Sequence, residues 1–290
     1  MTSKTLRLNF PQWQGGTLPT YHFGSQLLSF LAPPASGEEV TIDVDPPNGE
    51  ELLIERGIKA RSQVLRQADQ SLRILREKAP DRVVVLGGDC LVDLGPFAYL
   101  SERYGDDLAI LWVDAHPDIA TTALTTNAHA MVLGNLIGRG DPELVSRVSR
   151  PVEPANVMFA GLYDMSPAER RIFDDLGLKT ATPSELTVNS DPVIEWLRDR
   201  GTRHVAIHFD LDVLSPTELR TLFFSRPDAP RDAFNGIPQG RMLIAEVVRL
   251  LSDVARQADV VGLGITEFLP WDMVIVRDML RELPILRDGG

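Results

Sequence analysis

The sequence predicts an α/β fold assembled from βαβ units around a parallel sheet. Short apolar runs rich in β-branched residues alternate with amphipathic stretches of about 12 to 20 residues. The runs are apolar almost without interruption, as strands covered on both faces are. They fall at residues 82–86, 108–113, 156–160, 204–211 and 259–265. Between them, apolar residues recur at three- and four-residue spacing over 55–78, 167–175, 193–200, 241–257 and 272–281, which predicts the packing helices.

Residues 33–51, 120–127 and 215–238 carry neither period and read as loops. The second and third of these follow strands that end in acidic clusters, where loops carry function. No linker divides the chain, so residues 1–290 are expected to form a single domain. Hydrophobic residues make up 43% and charged residues 24%, the composition of a globular protein. No apolar run approaches the roughly 18 to 20 residues of a membrane span, and the basic start lacks the apolar stretch of a secretory signal. A cytoplasmic location is expected. Twenty-nine Lys and Arg against 41 Asp and Glu give a net charge of −12. That field repels phosphate backbones and anionic headgroups, so neither nucleic acid nor a membrane is expected as a partner. The one cysteine, Cys90, cannot close an intrachain disulfide and is core filler, reactive group or ligand.

The chemistry gathers at the strand ends. Gly87-Gly88-Asp89-Cys90 follows the first strand and Asp114-Ala115-His116-Pro117-Asp118 the second. Asp-x-His-x-Asp in strand alternation presents three side chains on one side, and carboxylates with imidazole are ligands for divalent metals. The competing reading is a solvated turn with a capping aspartate. A second cluster, His208-Phe209-Asp210-Leu211-Asp212, puts three titratable groups at two-residue spacing in an apolar strand. Burying two carboxylates together is costly without a cation, unless they merely cap helices. The two clusters hold enough oxygen and nitrogen for two ions, which sit roughly 3.5 to 4 Å apart in two-metal hydrolases. Asn127-Ala128-His129, in the following loop, is either surface or a proton carrier above the site. Glu267, in Ile265-Thr266-Glu267-Phe268, is one carboxylate in an apolar run, a helix cap or a functional group.

In this order, Gly-Gly-Asp-Cys, Asp-Ala-His-Pro-Asp, Asn-Ala-His, Phe-Asp-Leu-Asp and Ile-Thr-Glu-Phe resemble the ureohydrolase superfamily of arginase and agmatinase. The resemblance runs from Asn9, in an opening-loop motif NFPQWQGG, to Pro270. It implies a three-layer α/β/α domain with a mainly parallel sheet and two divalent ions, manganese in most of the family, at the strands' carboxyl ends. One ion would take Cys90, Asp114, Asp118 and Asp210; the other His116, Asp114, Asp210 and Asp212. A hydroxide between them, oriented by Asp118, would attack the guanidinium carbon of a small-molecule guanidine. Glu267 would hold the guanidinium and His129 would pass a proton to the departing amine, giving urea or an analogue. Asn127, Asp164 and Ser166 would complete the substrate contacts. The resemblance also implies a homotrimer or homohexamer.

Four departures from that pattern bear on function. Cys90 stands where the family has histidine, and a thiolate shifts preference from manganese toward zinc, iron, cobalt or nickel. His208 could compensate or orient the ligands. A buried Cys90 beside a lost site would instead leave a non-catalytic, ligand-binding relative. Ala120 and the Asp164-Met165-Ser166-Pro167 stretch replace groups that arginine-specific members use on the substrate's far end, so L-arginine is expected to be a poor substrate. Ser215-Pro216 lacks a further aspartate found in many members, and the loop after it carries Phe223 and Phe224, either an apolar pocket wall or packing beneath the loop. Cys90 with His208 also looks like a branch acting on N-hydroxylated guanidines.

Overall fold

The computed structural model describes residues 3–230 and 232–283. In chain order the strands are β1 (Thr5–Phe10), β2 (Glu38–Thr41), β3 (Ile54–Glu55), β4 (Ile58–Lys59), β5 (Arg82–Gly87), β6 (Leu108–Val113), β7 (Val157–Ala160), β8 (Lys179–Ala181), β9 (His204–Asp210) and β10 (Asp259–Thr266). Strands β3 and β4 form a small antiparallel pair. The other eight form one sheet in the order β2-β1-β5-β10-β9-β6-β7-β8, and every neighbouring pair is parallel. The helices are α1 (Thr20–Leu31), α2 (Arg61–Lys78), α3 (Leu94–Tyr104), α4 (Val132–Leu136), α5 (Pro142–Val145), α6 (Pro167–Asp175), α7 (Pro183–Val188), α8 (Asp191–Arg200), α9 (Ile244–Gln257) and α10 (Trp271–Glu282).

The period of two along β6 explains the three layers. Leu108, Ile110 and Trp112 enter one hydrophobic core, with Leu72 and Leu75 of α2 and Phe97 and Leu100 of α3. Ala109, Leu111 and Val113 enter the other, with Trp196 and Leu197 of α8 and Leu250 and Val254 of α9. All six strand residues are fully buried, so no polar face is left for sequence to reveal. Each buried leucine or isoleucine stabilises the packing by about 1.5–3 kcal/mol.

All five predicted strands and five predicted helices are present, 108–113 and 167–175 with the predicted ends and the others with shifted ones. Helix α2 begins at Arg61, not at residue 55, because the β3–β4 hairpin turns through Gly57 at φ +87° and Ala60 adopts a left-handed conformation before the helix. Residues 33–51 are not wholly a loop: β2 pairs with β1 there, and as an exposed edge strand it shows no hydrophobic alternation. The opening motif at Asn9 is partly strand, since Leu6, Leu8 and Phe10 point into the core from β1. Helix α3 escaped the sequence pattern because it is buried on most sides and so has no polar stripe.

Candidate active site

Strands β5, β10, β9 and β6 are adjacent, and the segments leaving their carboxyl ends carry Cys90, Glu267, Asp210 and Asp114 in that order. Ligand sites of open α/β sheets form at this edge. The expected strand alternation holds for His208 and Asp210 of β9 but not for Asp212 or for Asp114, His116 and Asp118. Strand β6 stops at Val113 and β9 at Asp210, each followed by the same tight turn. Asp114 Oδ1 accepts the His116 amide at 2.7 Å, and Asp210 Oδ1 accepts the Asp212 amide at 2.7 Å. An aspartate bonding the backbone two residues on breaks the ladder and folds the next acid back over the strand end. Asp118 and Glu267 adopt φ of 49° and 66°, conformations that cost a non-glycine residue about 1–3 kcal/mol each.

These turns bring the predicted groups together on the floor of a cavity of about 320 Å³. Cys90, His116, Asp118, Asn127, His129, Asp210, Asp212 and Glu267 line it, and Asp114 lies fully buried beneath. At the outer end, His116 Nδ1 stands 3.1 Å from Asp212 Oδ2 and 3.6 Å from Asp114 Oδ1. At the inner end, the Cys90 thiol donates to Asp210 Oδ2 at 3.1 Å and to Glu267 Oε1 at 3.4 Å. His129 Nδ1 lies 3.3 Å from Glu267 Oε1, and Tyr21 from α1 donates its hydroxyl to Glu267 Oε2. Among the described residues three sets of groups are close enough to share an ion: Asp114, His116 and Asp212 outside, Cys90, Asp114, His208 and Asp210 inside, and Cys90, His129 and Glu267 beside the latter.

The charges are unbalanced. Burial, then the charges of Asp212 and Asp114, pushes the Asp210 carboxyl well above the usual range. Burial and Asp114 do the same to Asp118. The thiol of Cys90 is driven up by burial and by Asp210. Burial also works against the charged form of Asp212, yet the charge and hydrogen bond of His116 hold it below its ordinary value. Burial opposes the imidazolium of His129, but the hydrogen bond and charge of Glu267 prevail and raise it to about 9. Asp118 Oδ2, Asp212 Oδ1 and His208 Nε2 are buried with no hydrogen-bond partner. Orphaned acceptors among crowded carboxylates suit divalent cations, so the donor set fits a metal pair.

Asp164 and Ser166 are not among the residues lining the cavity. Asp164 Oδ1 accepts the Met165 amide, and Ser166 caps α6 in a reciprocal box with Glu169, which itself reaches the cavity. The Ser-Pro-x-Glu spacing is the sequence signature of that box. Tyr21 and Glu169 belong to none of the motifs singled out in the sequence: Tyr21 lies in a helix without a clear period, and Glu169 within the helix predicted over 167–175. Phe223 and Phe224 do line the cavity, stacked edge-on with Phe234.

Comparison with known proteins supplies relatives for this geometry. A model of the arginase family matches residues 40–220. An arginase of Staphylococcus aureus is 32% identical over 142 residues, 47% of this chain and 47% of its own length. An arginase of Bacillus subtilis is 29% identical over 184 residues, 60% of this chain and 61% of its own. Matches to the first of these curated relatives thus span about half their length. In three dimensions, the arginase of Bacillus caldovelox superposes with a TM-score of 0.78 at 19% identity, over 93% of this chain and 92% of that one. The proclavaminate amidino hydrolase of Streptomyces clavuligerus gives 0.65 at 18% identity, over 92% and 84%. At those identities the likeness concerns the fold.

Proposed function

The chain belongs to the arginase family, and from that premise we propose that it hydrolyses a carbon–nitrogen bond of a small linear guanidine or amidine, releasing urea or an analogue and an amine. The observation that carries this reading is the convergence of Asp114, His116, Asp118, Asp210 and Asp212 beneath a cavity that also holds His129 and Glu267. Asp114, His116 and Asp212 would hold one divalent ion; Cys90, Asp118 and Asp210, with Asp114 shared, would hold the second. Two such ions supply Lewis-acid charge and lower the pKa of water at neutral pH. Manganese is the family's metal, and the thiol favours zinc, iron, cobalt or nickel.

The remaining work falls to side chains. Glu267 presents a carboxylate to the cavity, the partner a planar guanidinium prefers. Tyr21, donating to Oε2, fixes its rotamer. His129, 3.3 Å from Glu267 and raised by it in the metal-free chain, stands where it can hand a proton to the departing amine. Leu18, Phe223, Phe224 and Ile237 give the wall an apolar side, with Glu169 its one further carboxylate, which suits a substrate whose far end is less polar than that of L-arginine. Ala120 offers no hydrogen-bonding side chain and Ser166 is engaged as a helix cap, so L-arginine is expected to be turned over roughly 10- to 100-fold more slowly than the preferred guanidine. A trimer or hexamer in the cytoplasm belongs to the same proposal; among the described residues no helix is long and apolar enough to cross a membrane.

A second reading, a ligand-binding relative without turnover, is favoured by Cys90 alone, whose buried thiol resists ionisation in the absence of a cation. Metal analysis of protein purified without chelator separates the two, followed by urea release from guanidinoalkylamines, guanidino acids, N-hydroxyguanidines and L-arginine. About two equivalents per chain and turnover of one class are expected. No metal after incubation with manganese, zinc, iron, cobalt or nickel would overturn the catalytic reading.

A further inference from the structure

His208 sits in the middle of β9, flanked by β10 and β6, and is fully buried. A polar ring at such a place needs partners on both nitrogens, because an unpaired one costs about 1–3 kcal/mol. Nδ1 has a partner: Asp93 Oδ2, 2.7 Å away in the turn that follows β5. The ring is also held flat against Trp112, with centroids 3.8 Å apart and planes 14° from parallel. The indole of Trp112 in turn donates to Asp114 Oδ2 at 3.0 Å. Nε2 has no partner, and it faces the same Asp114 oxygen at 3.8 Å, too far for a hydrogen bond.

The pair with Asp93 is accommodated by the backbone beside it. A Cβ on Gly264 of β10 would lie 1.9 Å from Asp93 Oδ2, so the carboxylate occupies space that only glycine leaves there. Asp93 is fully buried and its Oδ1 has no hydrogen-bond partner, so His208 is the side chain that answers it. With Nδ1–H directed at a carboxylate, the lone pair of the ring is on Nε2 and points at the inner cluster. Cys90, Asp114, His208 and Asp210 then each offer one ligand atom, all within 4.8 Å of one another.

We propose that His208 Nε2 is a ligand of the inner metal, oriented by Asp93, and that it supplies from the strand the imidazole that position 90 lacks. The assignment deepens the proposed function and rests on it. A carboxylate gripping the far nitrogen of a metal-bound histidine fixes its tautomer and raises its basicity. With the carboxylates of Asp114, Asp118 and Asp210, the one sulfur and one nitrogen make a set softer than the carboxylate-dominated surroundings of manganese, one that favours zinc or cobalt. The outer end keeps His116 with Asp114 and Asp212, so the two sites differ in softness and in affinity.

The test is cobalt(II) titration of the metal-free full chain, followed by visible absorption and by metal analysis after gel filtration, with circular dichroism as the folding control. The wild type is expected to bind two equivalents with two distinguishable spectra. His208→Ala should retain one equivalent and lose the inner spectrum. Since that variant leaves Asp93 buried without a partner, Asp93→Ala/His208→Ala is the companion that removes the buried carboxylate together with the ring, and it should also retain one. Asp93→Asn should keep both ions with inner-site affinity about 10- to 100-fold weaker. Two equivalents with unchanged spectra in folded His208→Ala or in the double variant would overturn the assignment while leaving the two-metal hydrolase standing. A wild type that binds no cobalt, manganese or zinc would overturn both.

Discussion

At the outer end of the cluster an imidazole stands between two carboxylates, whereas at the inner end a thiol does. His116 lies 3.1 Å from Asp212, and its charge holds that carboxyl down although the group is buried. Cys90 lies 3.1 Å from Asp210 and offers no charge, and burial with two neighbouring acids drives Asp210 up. The two aspartates are separated by a single residue and share a hydrogen bond, yet they are pushed in opposite directions. The position of one ring decides it. A buried acid pair with a cation of its own is poised before metal arrives, while one without a cation depends on the metal for its charged state.

Asp114 tests whether the ends are two sites or one, because it belongs to both groups. Asp114→Ala is expected to abolish uptake at both ends and lower turnover by about 1000-fold or more, since each lost factor of ten corresponds to about 1.4 kcal/mol of barrier. Metal analysis and steady-state rates on the preferred guanidine check it. One full equivalent retained at the outer end would break the symmetry and make Asp114 a property of the inner end alone.

How much of this was legible in the sequence follows the same division. The outer end was readable: Asp114, His116 and Asp212 lie in motifs whose order identifies them, and the fold put them together. The inner end was only half readable. Asp93 belongs to none of the motifs, and nothing local ties it to His208, 115 residues away. That contact is created by neighbouring strands and by Gly264, facts of packing rather than of spacing. The turns from Asp114 to His116 and from Asp210 to Asp212 look like continued strand alternation because an aspartate that bonds its own backbone has the same two-residue spacing as a strand. Ser166 is ambiguous for a related reason, since a hydroxyl before proline can face a ligand or cap a helix, and here it caps α6 with the Glu169 side chain reaching back.

A smaller effect concerns the cation nearest the inner end. His129 is 3.3 Å from Glu267, which in turn accepts from the Cys90 thiol. Its folded pKa of about 9 lies above the ordinary 6.5, so its stabilising contribution is full below about pH 6.5 and is lost as pH rises through 9. In metal-free protein His129→Gln is expected to cost about 1–3 kcal/mol at pH 6 and progressively less toward pH 10. Urea unfolding of both proteins at each pH measures the gap. A gap that stays constant would mean that the ring is uncharged and that the inner end has no cation in reach, sharpening the contrast with His116.

The smallest expected effect lies outside both ends and calibrates the others. Ser166 accepts the Glu169 amide at 3.2 Å, and Glu169 Oε2 accepts the Ser166 amide at 2.9 Å, closing the first turn of α6. Ser166→Ala removes one half of that exchange and should lower stability by about 1 kcal/mol. Because the serine spends its hydroxyl on the helix, KM for the preferred guanidine should stay within about twofold, whereas Glu169→Ala, which uncaps the helix and also removes a cavity side chain, should move both. Thermal unfolding and KM measured on the same preparations separate the two contributions. A tenfold rise in KM for Ser166→Ala at unchanged stability would return the hydroxyl to the substrate, and with it the polar far end that the apolar wall of Phe223 and Phe224 argues against.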